Sequence, residues 1–187
     1  MIRAFLVALA ALMLPACAHA QDGRVDRSEA PIVRATANVI VQALPDSSYR
    51  EWGYRWDAMS ARISRFVHWH IFEPDARDRP AEAVVWRNGW VDASGAQIGV
   101  SVFGDDRAVT ALSFEYDEFT SLDLLDALRD AGAAVSFQAD YESYSEYVVT
   151  PLERETGLLT LRHICTSARS AAAQRCHNVA ELRFALE

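Results

Sequence analysis

Lysine is absent from this 187-residue chain, and all 18 basic side chains are arginine. That absence removes whole mechanisms. A Schiff-base enzyme, a lysine-activated serine nucleophile and a P-loop nucleotide site each require an ammonium group. The sequence also lacks Gly-x-Ser-x-Gly, His-Glu-x-x-His and a glycine-rich phosphate loop, marks that most hydrolases with ordinary machinery leave. No Asp-x-Asp-x-Asp-Gly calcium loop, internal repeat or low-complexity tract is present.

Long apolar runs are missing too. The longest stretch, Ala4 to Leu14, falls short of the roughly 20 residues a transmembrane helix needs. It follows Arg3 and precedes Pro15 and a segment rich in small residues, the order of a secretory signal peptide over residues 1–20. Ala18-His19-Ala20 places the cut before Gln21. Leu14-Pro15-Ala16-Cys17 competes with it as a lipobox, which would anchor a lipid at Cys17. Either reading predicts export, to the periplasm or the extracellular space, or to the outer envelope as a lipoprotein. Neither leaves a transmembrane segment in the mature chain.

Removal of the first 20 of 187 residues leaves 167, the size of one domain. Residues 21–27 have no apolar periodicity and are expected to form a flexible lead, with a single domain over 28–187. The leader holds one arginine and no acid, so the rest sets 17 arginines against 26 acids, a net charge of −9. A surface of that sign disfavours nucleic acid and anionic lipid as partners.

Cysteine is scarce. With Cys17 in the leader, Cys165 and Cys176 remain as an even pair in an oxidising compartment, which predicts a disulfide closing the loop from Thr166 to Arg175. Such a bond contributes on the order of 2 to 3 kcal/mol by limiting the unfolded chain.

What is present reads as a mixture of helices and strands. Ser28 as N-cap, Pro31 in the first turn, and Ile32, Ala35, Val39, Ile40 and Ala43 on one face predict a helix ending before Pro45. Tyr49, Trp52, Trp56, Met59, Ile63 and Phe66 recur at steps of three and four, predicting one helix with a Ser48/Glu51 capping box. Phe66 to Phe72 suits either a continuation of that helix or a strand, and residues 74–82 read as a loop. Asn88-Gly89 between Val84–Arg87 and Trp90–Asp92 predicts a two-residue hairpin turn. Further turns at Gly95 and Gly104 enclose strands through Ile98-Val100-Val102 and Leu112-Phe114-Tyr116. Thr120 and Asp123 cap a helix with Leu122, Leu124, Leu125 and Leu128 on its apolar face, stopped by Gly132. Strands follow at 134–139, 144–150, 158–165 and 179–186. Without regular strand–helix–strand alternation, these elements predict an α+β domain: a mainly antiparallel sheet with two or three helices packed on one face.

Several side chains could carry chemistry. On a strand, His68 and His70 would face one way and could share a zinc ion, with Glu73 or Asp75 completing the site; otherwise they are surface or core-edge histidines. His163 and His177 flank the cysteine pair, but oxidation of the thiols removes the thiolates that a Cys2His2 metal site requires. Glu115, Asp117 and Glu118, with Asp140, Glu142 and Glu146, form no recognised carboxylate motif and read as solvated strand edges and loop ends. Tyr141, Tyr144 and Tyr147, interleaved with Glu142, Ser143, Ser145 and Glu146, form an aromatic, hydrogen-bonding surface suited to an interface.

The expectation is an exported, non-catalytic domain without a cofactor that binds a protein or cell-envelope component. The alternative is a metal-assisted hydrolase using His68 and His70, which requires both imidazoles to converge with a third ligand in a concave pocket. A small-ligand carrier built on the aromatic stripe from Tyr49 to Phe66 would require an apolar cavity rather than a filled core.

Overall fold

The computed structural model describes residues 27–49, 54–70, 85–104, 108–165 and 176–184. The expected leader with Cys17, most of the expected lead, Glu73, the segment 74–82 with Asp75 that was expected to form a loop, and the connection between the two cysteines lie outside the described residues. Within them, eight strands form one antiparallel sheet accompanied by three α-helices and a short 3-10 turn.

In chain order the helices are α1 (Pro31–Ala43), α2 (Trp56–Ile63) and α3 (Ser121–Asp130). The strands are β1 (Val67–Trp69), β2 (Val85–Ala93), β3 (Ala96–Gly104) and β4 (Val109–Tyr116), then β5 (Ala133–Asp140), β6 (Tyr144–Pro151), β7 (Gly157–Cys165) and β8 (Cys176–Phe184). Their order across the sheet is β1-β2-β3-β4-β8-β7-β6-β5. Two four-stranded meanders therefore meet at β4 and β8, and α3 carries the chain from the middle of the sheet to its far edge.

Side-chain alternation explains this sheet. Ile98, Val100 and Val102 of β3, Leu112, Phe114 and Tyr116 of β4, and Ala180, Leu182 and Phe184 of β8 are all buried. In the alternating positions Ser101, Ser113 and Glu181 lie side by side across the same three strands, on the opposite face. A wholly buried phenylalanine such as Phe114 contributes about 1.5 to 3 kcal/mol relative to exposure. Helix α1 touches β2, β3 and both other helices, while α3 also touches β5.

The predicted elements needed four corrections. Helix α1 begins at Pro31 as its proline suggests, but Ala30 precedes it, no side chain caps it, and Ser28 is buried. The single helix expected from Tyr49 to Phe66 is shorter. A 3-10 turn at Ser47–Tyr49 comes first, Ser48 donates its hydroxyl to Asp46, and α2 starts only at Trp56. The hydrophobic steps of three and four reflected burial of Met59 and Ile63 without an unbroken helix. The ambiguous segment after Phe66 is the strand β1.

The third correction concerns Asn88-Gly89. Strand β2 runs straight through both residues, which pair with Ser101 and Val100. The turn lies instead at Ser94-Gly95, both with positive φ (54° and 83°), between the paired Ala93 and Ala96. Gly89 is glycine for another reason: a Cβ there would lie 2.5 Å from the His68 carbonyl oxygen and 2.8 Å from the Trp69 ring. It permits close approach of β1 rather than reversal of the chain. Last, Leu122 of α3 is 54% exposed, and the buried face of that helix is Asp123, Leu124, Leu125, Ala127 and Leu128.

Candidate functional site

A cleft of about 510 Å³ opens between the first turns of α3, the β5–β6 connection and the end of β7. Its walls include Ser121, Leu122 and Leu125 from α3, the turn from Asp140 to Ser145 with Tyr147 beyond it, and Leu161, Arg162 and His163 from β7. All three tyrosines expected at an interface, Tyr141, Tyr144 and Tyr147, line it.

Local chemistry fixes each wall. The helix is held by a reciprocal capping box: the Asp123 amide donates to Thr120 Oγ1 at 3.2 Å, and the Thr120 amide donates to Asp123 Oδ2 at 2.8 Å. The hairpin turn closes through the Tyr141 amide, which donates to the Tyr144 carbonyl at 2.8 Å. Tyr141 and Tyr144 then stack with centroids 4.4 Å apart. Tyr144 lies opposite Arg162 in register, and that guanidinium sits 5.4 Å from the Tyr144 ring. A cation held against one aromatic face stiffens the pair. Tyr147 meets Phe137 edge-on at 5.7 Å, on the outermost strand of the sheet. Tyr141 is 49% exposed, so an aromatic face remains open to solvent beside carboxylates, hydroxyls and one arginine.

Beneath α3, Tyr116 stacks on Phe119 at 4.2 Å and its hydroxyl lies 3.2 Å from Ser121 Oγ on the cleft wall. Burial pushes the Tyr116 phenol up from 10.0 to about 12, with the Ser121 hydrogen bond acting in the opposite sense.

His163, at the cleft edge, belongs to a second cluster. Cys165 and Cys176 are directly paired across β7 and β8 and joined by a disulfide, as expected. His163 Nε2 lies 3.4 Å from Cys165 Sγ, and His163 Nδ1 lies 3.0 Å from Asn178 Oδ1. Asn178 Nδ2 donates to the Phe119 carbonyl at 3.3 Å. His177 pairs with Ile164, so strand alternation points it to the other face of the sheet and the four-ligand set does not assemble. The donor atoms of His163, Cys165 and Cys176 do fall within 4.8 Å of one another. With both sulfurs in the bond, neither offers a thiolate.

His68 and His70 lie at the opposite edge of the sheet. His68 stacks on Trp90 at 5.7 Å and His70 tilts against the same ring at 4.5 Å, so both imidazoles do share a side, as a strand dictates. Among the described residues no third metal-binding side chain joins them. Of the aromatic stripe, Trp52 lies outside the described residues, while Met59 and Ile63 are fully buried and Trp56 meets Trp69 edge-on at 4.8 Å; nearby Tyr54 lies 5.2 Å from Phe184. Of the acidic residues, Asp140 and Glu142 enter the tyrosine cleft, and Asp117 and Glu118 line a neighbouring hollow of about 390 Å³ with Arg27 and Asn178. Glu115 and Glu146 project from the face opposite the core.

Arg162 and Asn178 had not stood out in the sequence. For Asn178 the signal was the disulfide itself, since direct pairing of Cys165 with Cys176 sets His163 opposite Asn178 by antiparallel counting; Arg162 is placed by the β6–β7 register, which no local signal gives. No helix among the described residues is long and apolar enough to cross a membrane. No protein-family model, curated protein or solved structure matches the chain.

Proposed function

We propose that this chain is an exported binding domain that engages a protein or cell-envelope component through the tyrosine cleft, its three helices covering one face of the sheet. The observation that carries this reading is the stacked Tyr141–Tyr144 pair with Arg162 against it, at a cleft that Tyr147 and His163 also border. Rigid aromatic rings supply contact area at little entropic cost, and the surrounding carboxylates and hydroxyls supply directional hydrogen bonds. Pre-stacking of Tyr141 on Tyr144, backed by Arg162, means less conformational freedom is lost on binding. For the hydrolase alternative, both imidazoles lie against the Trp90 ring, and Glu73 and Asp75, which would complete its site, lie outside the described residues.

The test is site-specific photo-crosslinking in the exporting cell. A photoreactive residue at Glu142, on the cleft rim, is expected to trap one discrete envelope component, and Tyr141→Ala/Tyr144→Ala is expected to abolish the adduct. The same probe at exposed Thr110 should trap nothing comparable. Identical adduct patterns from positions 142 and 110 would sink the proposal.

A further inference from the structure

We infer that Cys165–Cys176 is a redox-active disulfide, exchanging with an external dithiol through a leaving-group relay of His163 and Asn178. The inference stands independently of the tyrosine cleft, although His163 borders both.

Three observations combine. Cys176, the cysteine to be attacked, is exposed, so an attacking thiol can reach the bond. A histidine nitrogen faces one sulfur only, His163 Nε2 at 3.4 Å from Cys165 Sγ. The third is the tautomer, which the surroundings determine. Asn178 donates through Nδ2 to the Phe119 carbonyl, so its Oδ1 is the atom turned towards His163 Nδ1, 3.0 Å away. An amide oxygen only accepts, so Nδ1 carries the proton in the neutral ring and Nε2 presents a lone pair towards the sulfur. A thiol, a histidine beside it and a third group orienting the histidine form the arrangement that activates sulfur nucleophiles. A purely structural staple requires neither His163 nor Asn178.

The chemistry balances as follows. One thiol of a dithiol reductant loses its proton, which Nε2 takes up through solvent. The resulting thiolate attacks Cys176 Sγ, the disulfide breaks, and the electron pair leaves on Cys165 Sγ, where the His163 imidazolium donates a hydrogen bond and then the proton. The reductant's second thiol attacks its own sulfur in the mixed disulfide and releases Cys176 as a thiolate, which takes up that thiol's proton. Two electrons pass from the dithiol, which becomes a cyclic disulfide, and the protein gains two thiols. In reverse, the Cys176 thiolate attacks the disulfide of an oxidised partner, and the Cys165 thiolate then attacks Cys176 Sγ in the mixed disulfide, re-forming the protein disulfide and releasing the partner as a dithiol.

The experiment uses the folded full chain with dithiothreitol as the probe, following the appearance of free thiol at neutral pH. Wild type should be reduced about tenfold faster than His163→Gln, with Asn178→Ala between them. In reduced wild type, far-ultraviolet thiolate absorbance should appear at a lower pH than in His163→Gln. Equal reduction rates for wild type and His163→Gln would overturn the inference. So would a disulfide that resists dithiothreitol until the chain unfolds. Should either variant fold poorly, the thiolate titration of reduced wild type decides alone: ionisation only near the free-cysteine value of about 8.5 refutes the relay.

Discussion

The Arg154 guanidinium donates to the Leu44 carbonyl at 2.7 Å, from 110 residues further along the chain. Its second nitrogen donates to Gln42 Oε1 at 2.9 Å, while Arg62 of α2 donates to the Gln42 and Ala43 carbonyls at 3.0 and 2.8 Å. Helix α1 has no basic residue in its last turn, and the chain leaves it at Leu44 in an extended conformation. Its final carbonyls, left over by the helical hydrogen-bond pattern, are therefore capped by two arginines from elsewhere in the fold. Burial, followed by the charge of Arg154, lowers the Arg62 pKa below its ordinary value.

Replacing this cap is expected to destabilise the domain. Arg154→Ala should lower unfolding free energy by about 1 to 3 kcal/mol, because it leaves partly buried acceptors unmade. Arg154→Lys should recover only part of that, since one ammonium does not reproduce the guanidinium fork. Urea unfolding measures both, and an unchanged midpoint in the alanine variant would contradict the capping role.

Two strand glycines should respond oppositely to alanine. At Gly89 a methyl group would meet the His68 carbonyl and the Trp69 ring, so Gly89→Ala should cost about 1 to 3 kcal/mol and loosen β1. At Gly99 a Cβ meets nothing within 4 Å, so Gly99→Ala should be neutral or slightly stabilising. Thermal unfolding of the two variants side by side separates a steric requirement from a conformational one.

Alkaline pH supplies a third test, simplified by the absence of lysine. Tyr116 ionises at about 12 in the fold against 10.0 when free, so the folded state holds the proton more tightly. Its contribution is complete below about pH 10 and is lost as pH rises towards about 12, at roughly 1.4 kcal/mol per unit. Tyr116→Phe should flatten that part of the decline. A wild-type curve and a Tyr116→Phe curve that run parallel from pH 9 to pH 12 would show that this phenol is not linked to folding.

Loss of the disulfide should weaken the fold without abolishing it. Cys165 and Cys176 are 11 residues apart, a loop whose closure contributes about 3 kcal/mol by chain entropy. Cys165→Ser/Cys176→Ser should therefore unfold at lower urea while keeping a native far-ultraviolet circular dichroism spectrum, because buried Leu159, Leu161, Ala180 and Leu182 hold the same two strands. A double variant unfolded in buffer would show that the core between β7 and β8 is insufficient alone.

Much of the molecule was legible residue by residue. The period-two alternation of Ile98-Val100-Val102, Leu112-Phe114-Tyr116 and Ala180-Leu182-Phe184 predicted strands and their buried face, because a pleated backbone leaves side chains no other choice. Thr120 and Asp123 announced the start of α3, since both halves of a capping box lie within one turn. The cysteine pair was visible for an equally local reason. Asn88-Gly89 misled because a glycine needed for close approach looks identical, in one dimension, to a glycine needed for a turn. The stripe from Tyr49 to Phe66 misled because residues need not share one helix to share one core: Tyr54 is buried ahead of α2, and Met59 and Ile63 are buried within it.

The sequence by itself therefore determined the character of most strands and of α3, the identity of the disulfide and the exclusion of the chemistries that lysine would have carried. Tertiary structure alone decided which strands are neighbours, so that β8 inserts between β4 and β7 and β5 becomes an edge. It also decided that His163 meets Asn178 while His177 is turned away, and that Arg154 caps a helix 110 residues distant. The physical reason is range. Propensity, capping and alternation act over a few residues, whereas register, edge position and the convergence of polar groups depend on how separate segments share one core.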